Sequence, residues 1–495
     1  MGNPLFGTKS IMQLRAEAEG HAGLKRTLGP FDLIALGIGA IIGAGLFVRT
    51  AAAAANHAGP SVTIGFIVAA VGSAFAGLCY AEFASMIPMA GSAYTYAYST
   101  MGELVAWIIG WDLILEYAVG AATVGIAWSE YFNKLLERFG THIPYAWCHS
   151  PLQSELNKAT GVLEHGIINL PAVFIVLVLS LLLIRGIRES AVVNGVIVIA
   201  KVAIVILFIA IGWQFMNPAN HTPYIPPAGT YVDSLGVSNH YGGLWGILSA
   251  GGVVFFAFIG FDAVSTAAQE AKKPKRDMPI GILGSLAICT VLYILFAHVL
   301  TGVASVEDFR THGREASVVF AIEHYMHGYQ WLATFVTVAI LAGFSSVILV
   351  MLLGQSRVFF AMSRDGLVPG VFSETHKRFG TPHKSNLIFF LLVGGFAAFL
   401  PEDVVGSMTS IGTLFAFMIV CGGVMILRVK HPEIPRDFRA PLVPVLPILG
   451  ILTCGAMIFG LGWTNWLRLI VWLVIGLLIY GFYGRKHSKL RATQK

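Results

Sequence analysis

Long runs of apolar residues recur along nearly the whole chain, separated by short polar segments. A helix needs about 20 apolar residues to cross the hydrocarbon core of a bilayer, and twelve runs come close to that length. The pattern predicts an all-α integral membrane protein with twelve spanning helices. The predicted spans are 31–52, 62–86, 102–131, 167–187, 191–215, 243–268, 279–303, 329–361, 385–400, 404–427, 444–461 and 465–484.

The first apolar run contains the stretch GIGAIIGAGLF at 37–47, which has four glycines. A glycine in a helix interior costs about 1 kcal/mol relative to alanine. One interpretation is close helix packing, because Gly39 and Gly43 form a GxxxG motif. The other is a helix interrupted within the membrane, where unwound backbone is tolerated only beside protein or water. Transporters use such interruptions to bind substrates and ions.

A second interruption is predicted five spans later, in GGVVFFAFIGFDAVSTAAQE at 251–270, where Gly260 lies beside the intramembrane Asp262. Each interrupted span opens a group of five, and because five is odd, the second group would be inverted. This pattern is typical of secondary transporters with inverted repeats. The predicted order is N-terminal segment, first repeat, outer loop, second repeat, two accessory helices and tail, at 1–30, 31–215, 216–242, 243–427, 428–484 and 485–495.

Basic residues are distributed unevenly between alternate connecting segments. If both termini are cytoplasmic, 23 of the 32 Lys and Arg residues fall inside and seven outside. This distribution satisfies the positive-inside rule. It predicts a multi-pass protein of the plasma membrane or bacterial inner membrane with cytoplasmic termini. Because topology accounts for the net charge of +6, nucleic acid is not an expected partner.

Composition supports the membrane assignment and narrows the chemistry. Hydrophobic residues make up 56% of the chain and charged residues 12%, whereas soluble proteins have about 25% charged residues. The five cysteines form no CxxC pair, and the sequence shows no Ser/His/Asp set, metal-ligand cluster or phosphate loop. We therefore predict no enzyme activity, cofactor or metal site.

Ionisable residues inside the predicted spans are costly, so each needs a function or a partner. Lys201 lies midway along the fifth span, where desolvation disfavours its charged form. It is a candidate for proton coupling, with a static ion pair or cavity lining as the alternative. In the third span Asp112 and Glu116 share a helical face. Glu116 either faces the substrate pocket or forms a structural hydrogen bond inside the helix bundle. Asp262 either contributes to the substrate pocket or caps the following half-helix. Arg357 is either an inner-gate residue or a snorkelling anchor.

Six motifs resemble the amino acid–polyamine–organocation (APC) superfamily, in its cationic amino acid transporter branch. They are LGPFDLIALGIGAIIGAGLFV, CYAEFASMIPMAGSAYTYAY, GELVAWIIGWDLILEY, FFAFIGFDAVSTAAQEAKKPKRDMPIGI, GQSRVFFAMSRDGL and IGTLFAF. The chain is most similar to the bacterial proton-coupled amino acid transporters of that branch. The resemblance implies a LeuT-like 5+5 inverted repeat with discontinuous helices 1 and 6 and two extra C-terminal helices.

The resemblance also implies where an amino acid would bind. Its carboxylate would meet amides of the first interruption, at Ile42, Gly43, Ala44 and Gly45. Its α-amino group would meet carbonyls of the second, at Phe256, Ala257 and Ile259, and Phe256 would close over the substrate from outside. Many members of the branch have threonine where this chain has Ala44, so one hydroxyl is missing although the backbone amides remain.

By the same resemblance Lys201 replaces the sodium ion of sodium-coupled relatives. Its expected neighbours are carbonyls near Gly37 and Ile38 and the hydroxyls of Ser345 and Ser346. Met351 or Leu352 would form the floor of the pocket and limit substrate size, while Glu116 suits cationic substrates. The expected partners are an amino acid, small and neutral or cationic, together with protons and the lipid bilayer. A small single-span membrane partner is a further possibility, and the oligomeric state is left open.

The predicted function is import of L-amino acids by alternating access, coupled to protons through Lys201. Two alternatives share the fold. The first is an exchanger for amino acids or polyamines, which would require substrate on the far side of the membrane. The second is a sensor or partner subunit that does not transport.

Overall fold

The computed structural model describes residues 7–9, 27–86, 92–156, 161–186, 191–233, 236–266, 270–311 and 317–494. Most of the predicted N-terminal segment, 1–30, therefore lies outside the described residues. The α-helices, numbered in chain order, are α1 Pro30–Ile41, α2 Ala44–Phe47, α3 Arg49–Ala53, α4 Val62–Met86, α5 Ser92–Thr100, α6 Glu103–Ile114, α7 Gly120–Arg138, α8 Tyr145–Cys148, α9 Leu170–Ile184, α10 Ala191–Gly212, α11 Gly243–Val254, α12 Ala263–Thr266, α13 Pro274–Val303, α14 Val306–Thr311, α15 Ser317–Tyr325, α16 Gln330–Arg364, α17 His383–Phe399, α18 Glu402–Lys430, α19 Val445–Gly460, α20 Trp463–Ile479, α21 Arg485–His487 and α22 Lys489–Gln494.

Short helical turns of other types extend or interrupt these helices. The π-helical turns are Ala54–Ala58, Leu115–Val119 and Tyr480–Gly484, and the 3₁₀ turns are Gly59–Ser61, Trp213–Phe215, Pro218–His221, Phe255–Phe258 and Gly370–Phe372. Two of them matter for function, because Leu115–Val119 carries Glu116 and Phe255–Phe258 lies in the second predicted interruption. Both π and 3₁₀ turns inside long helices are frequent at functional sites.

Two small antiparallel sheets modify the all-α expectation. Strand β1 (Ser154–Leu156) pairs with β2 (Leu163–His165), and β3 (Gly229–Val232) pairs with β4 (Ser238–Tyr241). The β3–β4 hairpin gives the predicted outer loop 216–242 an ordered structure. It is fixed to its surroundings by Arg310, whose guanidinium lies 4.3 Å from the ring centre of Tyr231 and 4.6 Å from that of Tyr241.

Eight helical segments of the described residues are long and apolar enough to cross a membrane. They are Arg49–Met86, Glu103–Arg138, Val193–Phe215, Gly243–Ser265, Pro274–Val303, Gln330–Arg364, Glu402–Lys430 and Trp463–His487. Four shorter apolar helices are Pro30–Ile41, Leu170–Ile184, His383–Phe399 and Val445–Gly460. The shortest predicted run, 385–400, is one of these short helices.

The helices pack around the two interrupted segments. α13 packs on both α4 and α1, and α16 packs on α7 and α10. The elements of the two interruptions contact each other as well, because α2 packs on the turn Phe255–Phe258. The interior thus brings α1, α10 and α16 together, which is where the candidate coupling lysine lies.

Candidate substrate and coupling site

The first predicted interruption is present. α1 ends at Ile41, the backbone of Ile42 is extended with ψ 103°, and helical structure resumes at Ala44. Ile42, Gly43, Ala44 and Gly45 are all buried. The first amides of a helix have no acceptor within that helix, so the restart after Gly43 leaves backbone donors in the protein interior. The segment is therefore an interrupted helix and not an intact helix packed through its GxxxG motif.

The second predicted interruption is present too. α11 ends at Val254 and continues as the 3₁₀ turn Phe255–Phe258, after which Ile259 is extended with ψ 135°. Gly260 follows with φ +115°, a backbone conformation that residues other than glycine rarely adopt. Helical structure resumes at Ala263. Of the three residues whose carbonyls the resemblance assigns to the α-amino group of a substrate, Phe256 and Ala257 lie in the 3₁₀ turn and Ile259 in the unwound stretch.

The two interruptions touch through their backbones. A Cβ atom placed on Gly45 would lie 2.2 Å from the Cα of Ala257, and one on Gly260 would lie 2.8 Å from the carbonyl oxygen of Ala40. No side chain fits in either gap. Glycine at both positions allows the two segments to approach at backbone distance, and at Gly260 it also permits the positive φ of the unwound backbone.

Lys201 is completely buried on α10, and its ammonium Nζ donates a hydrogen bond of 2.7 Å to the carbonyl oxygen of Gly39. Gly39 lies in the last turn of α1, two residues beyond Gly37. The hydroxyl of Ser345 donates to Leu341 of its own helix, and that of Ser346 lies 3.5 Å from Asn194 Oδ1. The lysine hydrogen bond connects α10 to the end of α1, immediately before the interruption. Its acceptor is the Gly39 carbonyl, which follows the expected neighbours Gly37 and Ile38 in the chain.

Two residues of this site did not emerge from the sequence. A Cβ on Gly343 of α16 would lie 2.5 Å from Lys201 Cε, so the missing side chain leaves room for the lysine to reach α1. Asn194 lies two helical turns before Lys201, its side chain adjoining both Gly39 and Ser346. The seven-residue spacing of Asn194 and Lys201 on one helical face was the available signal. No local pattern distinguishes Gly343 from a packing glycine.

A cluster of acidic and phenolic side chains lies beside the second interruption. Asp262 is fully buried, and its Oδ2 accepts a hydrogen bond of 2.6 Å from the hydroxyl of Tyr117. Glu116 precedes Tyr117 in the π-helical turn and is likewise buried, with neither of its carboxylate oxygens hydrogen-bonded among the described residues. Asp112 is buried one turn earlier on α6. Glu116 and Asp262, predicted separately, therefore belong to one group, and Tyr117 is the member that sequence reasoning missed.

The remaining predicted residues lie around these elements. Phe256 is buried within the 3₁₀ turn of the second interruption. Met351 is buried on α16, and its sulfur packs against Gly120 and near Thr409. Gly120 lies one helical turn after Glu116. A methionine at that place fills space between α7, α16 and α18 with a flexible apolar side chain.

Arg357 lies near the C-terminal end of α16 and is ion-paired with Glu270, their nearest atoms 3.5 Å apart. Glu270 lies just after the region of the second interruption, so the pair connects α16 to the C-terminal side of that segment. Both side chains are partly exposed, at 20% and 26%. This arrangement differs from a lone snorkelling anchor because the arginine has a specific carboxylate partner.

An interior containing two interrupted helices, with a buried lysine bound to one of them, defines the molecule as a membrane transporter. The family profile described as amino acid permease matches residues 28–483. The chain belongs to this amino acid permease family, within the APC superfamily. It is accordingly a multi-pass membrane protein of a family of transporters, not of enzymes.

Individual relatives match over most of the chain. The branched-chain amino acid permease BcaP of Bacillus subtilis (strain 168) is 44% identical over 99% of this chain and 100% of its own length. The methylthioribose transporter of the same organism is 40% identical over 98% of this chain and 99% of its own length. Human cationic amino acid transporter 4 is 32% identical over 84% of this chain and 62% of its own length.

Proposed function

We propose that this protein imports L-amino acids by alternating access and that proton binding at Lys201 drives the import. The hydrogen bond between Lys201 and the Gly39 carbonyl is the observation that carries this proposal. A protonated lysine donates to that carbonyl and holds α10 against α1. Loss of the proton removes the charge that makes the hydrogen bond strong. Protonation of one residue can thus bias the position of the helix that contains the first interruption.

The proposed framework is twelve spanning helices arranged as a LeuT-like 5+5 inverted repeat with two accessory helices. The eight long segments together with the four shorter apolar helices make up the required number. The interrupted segments α1–α3 and α11–α12 stand in first position in the two groups, and Lys201 lies in the fifth span of the first group. In this framework both termini are cytoplasmic, and Arg357 with Glu270 forms part of the inner gate.

For substrate recognition we propose the two interruptions. The carboxylate of the amino acid would accept hydrogen bonds from the amides of Gly43, Ala44 and Gly45, and its ammonium group would meet carbonyls at Phe256, Ala257 and Ile259. The amide of Ile42, also expected to bind the carboxylate, instead donates to the Ile38 carbonyl at 2.9 Å. Glycine and backbone groups supply most of this site, so its chemistry fits any α-amino acid. Phe256 and Met351 would contact the side chain of the substrate and favour apolar ones.

The names of the relatives support a neutral aliphatic substrate more than a cationic one. BcaP is named for branched-chain amino acids, and that relative covers the full chain. Cationic substrates remain in the proposal because Glu116 lies one helical turn before Gly120, against which Met351 packs. In addition, a human relative is named for cationic amino acids. A second candidate is methylthioribose, because the relative that is 40% identical is named a transporter of that sugar.

Uptake by purified protein in proteoliposomes tests the proposal. The panel comprises leucine, alanine, arginine, lysine and methylthioribose, each with and without an inward proton gradient. We expect accumulation of leucine or alanine that depends on the gradient. If no amino acid enters, the transport proposal is wrong; if entry requires amino acid inside the vesicles, the protein is an exchanger.

The coupling role is tested with Lys201→Ala. We expect this variant to lose concentrative uptake and the pH dependence of transport, while bidirectional exchange of labelled substrate persists. Lys134→Ala is the matched control, because Lys134 is 41% exposed on the outer side and pairs only with the nearby Glu137 among the described residues. A Lys201→Ala protein that concentrates substrate with unchanged pH dependence would exclude the coupling role.

A further inference from the structure

A polar pocket opens on the outer side of the protein, just outside the two interruptions. It is bounded by the outer half of the first span, the β3–β4 hairpin, and the beginnings of α18 and α20. The six residues used below, named together the outer pocket, are Arg49, Asp233, Asp403, Thr464, Asn465 and Arg468. Arg49 follows the first interruption by a few residues, so the pocket lies on the path from outside to the proposed substrate site.

Arg49 forms the inner wall of the outer pocket. Its side chain is 1% exposed, and its Nη1 lies 3.1 Å from Glu402 Oε2 and 3.1 Å from Asp403 Oδ1. Its Nη2 donates to the hydroxyl of Ser407 at 3.3 Å. The buried Nε of Arg49 has no hydrogen-bond partner among the described residues. This network joins the first span to α18 and separates the pocket from the interruptions.

The charges of the outer pocket have opposite signs on different elements. Arg468 on α20 donates from Nη1 to Asn465 Oδ1 at 2.8 Å and forms no ion pair within the described part of the chain. Asp403 on α18 is 31% exposed although it contacts Arg49. Asp233 in the hairpin accepts from Val237 N at 2.9 Å and from Asn239 Nδ2 at 3.0 Å, which fixes its carboxylate. A partly buried guanidinium without a carboxylate therefore faces the same pocket as two carboxylates.

We propose that the outer pocket binds an α-amino acid as its zwitterion, before the amino acid reaches the interruptions. Arg468 receives the carboxylate, because a guanidinium matches a carboxylate in charge and in its paired N–H geometry. Asp233 and Asp403 receive the ammonium group. The inference rests on the proposed transport of amino acids and adds a second binding site. It also gives the accessory helix α20 a role in recognition.

Cysteine labelling tests the proposal directly. Thr464→Cys places a thiol at the exposed edge of the outer pocket, and all five native cysteines are buried. We expect leucine, alanine or arginine to slow the reaction of this thiol with a membrane-impermeant reagent about tenfold. Acetate and butylamine, which carry only one of the two charges, should protect weakly. Protection by acetate equal to that by the amino acids would overturn the zwitterion assignment.

Arg468 variants separate binding in the pocket from closure of the outer path. In the Thr464→Cys background, Arg468→Gln should abolish protection and Arg468→Lys should restore part of it. We expect Arg468→Gln to raise the KM for uptake about tenfold, the effect of losing one hydrogen bond to a charged group. Lys134→Gln, an outer cation remote from the pocket, should leave uptake unchanged. Equal protection in the presence and absence of Arg468 would overturn the proposal.

The outcomes also distinguish this proposal from the proposed function. Saturable uptake without any protection of the Thr464→Cys thiol would contradict amino acid binding in the outer pocket and still support the proposed transport. Protection without uptake of any amino acid would support the pocket and contradict transport. Protection that persists in a Lys201→Ala protein would show that the outer pocket binds its ligand independently of coupling.

Discussion

Gly343→Ala is the sharpest test of the site around Lys201. The added Cβ would lie 2.5 Å from Lys201 Cε and 3.2 and 3.3 Å from its Cγ and Cδ, whereas ordinary contact begins near 3.4 Å. Lys201 must therefore move by about 1 Å. A displacement of this size along the 2.7 Å hydrogen bond would stretch it beyond the usual distance limit of about 3.2 Å, unless α16 moves instead.

Three free-energy contributions decide the expected result. Alanine gains about 1 kcal/mol of helix propensity over glycine, which favours folding of the variant. Loss of a hydrogen bond to a charged group costs about 1.5–3 kcal/mol, and overpacking costs about 1–3 kcal/mol. We expect the steric effect to exceed the propensity gain, and proton-driven accumulation to fall about 10- to 100-fold at 1.4 kcal/mol per decade.

The assay is leucine or alanine uptake in proteoliposomes under an imposed pH gradient, with exchange of labelled substrate measured in parallel. Gly395→Ala is the matched control, because Gly395 lies within α17 and a Cβ there would meet no atom within 4 Å. The control gains the same propensity and should transport normally. If Gly343→Ala accumulates substrate with the same gradient dependence as wild type, the lysine does not need the gap in α16.

Three further substitutions probe other parts of the structure. Gly45→Ala would force a Cβ to 2.2 Å from the backbone of Ala257, so we expect loss of uptake together with lower thermal stability in detergent. Glu82→Gln breaks a fully buried carboxylate paired with Arg428 at 2.6 Å, and should reduce the free energy of unfolding by about 3 kcal/mol in denaturant titrations. Arg357→Gln removes a partly exposed ion pair, so we expect stability to change by under about 1 kcal/mol while substrate efflux accelerates.

Gly422→Ala is the control for Gly45→Ala, and Glu137→Gln is the control for the two substitutions that break ion pairs. Gly422→Ala adds a methyl group within α18 where a Cβ meets nothing within 4 Å, and should not affect uptake. Glu137→Gln removes an exposed carboxylate from a surface pair and should cost under about 1 kcal/mol. An active Gly45→Ala protein, a Glu82→Gln protein as stable as the Glu137→Gln control, or unchanged efflux in Arg357→Gln would contradict the corresponding interpretation.

The membrane class, the two helix interruptions and the burial of Lys201 within a span could be predicted from the sequence. Each of these rests on local information. Long apolar runs reveal spans, clusters of glycine in such a run reveal weak points in a helix, and a lysine among apolar residues is conspicuous because burying it is costly. The interruptions begin where the glycine stretch GIGAIIGAGLF and the segment around Gly260 predicted them.

Only the tertiary structure decided which groups meet. The carbonyl that accepts from Lys201 belongs to Gly39, 162 residues away along the chain. Tyr117 and Asp262 are 145 residues apart, and Arg49 and Glu402 are 353 residues apart. Such contacts depend on how helices rotate and shift against one another. The apolar pattern of a buried span is almost uniform around the helix, so the sequence carries little information about that rotation. Gly343 shows the same limit, because its function is visible only once the lysine beside it is placed.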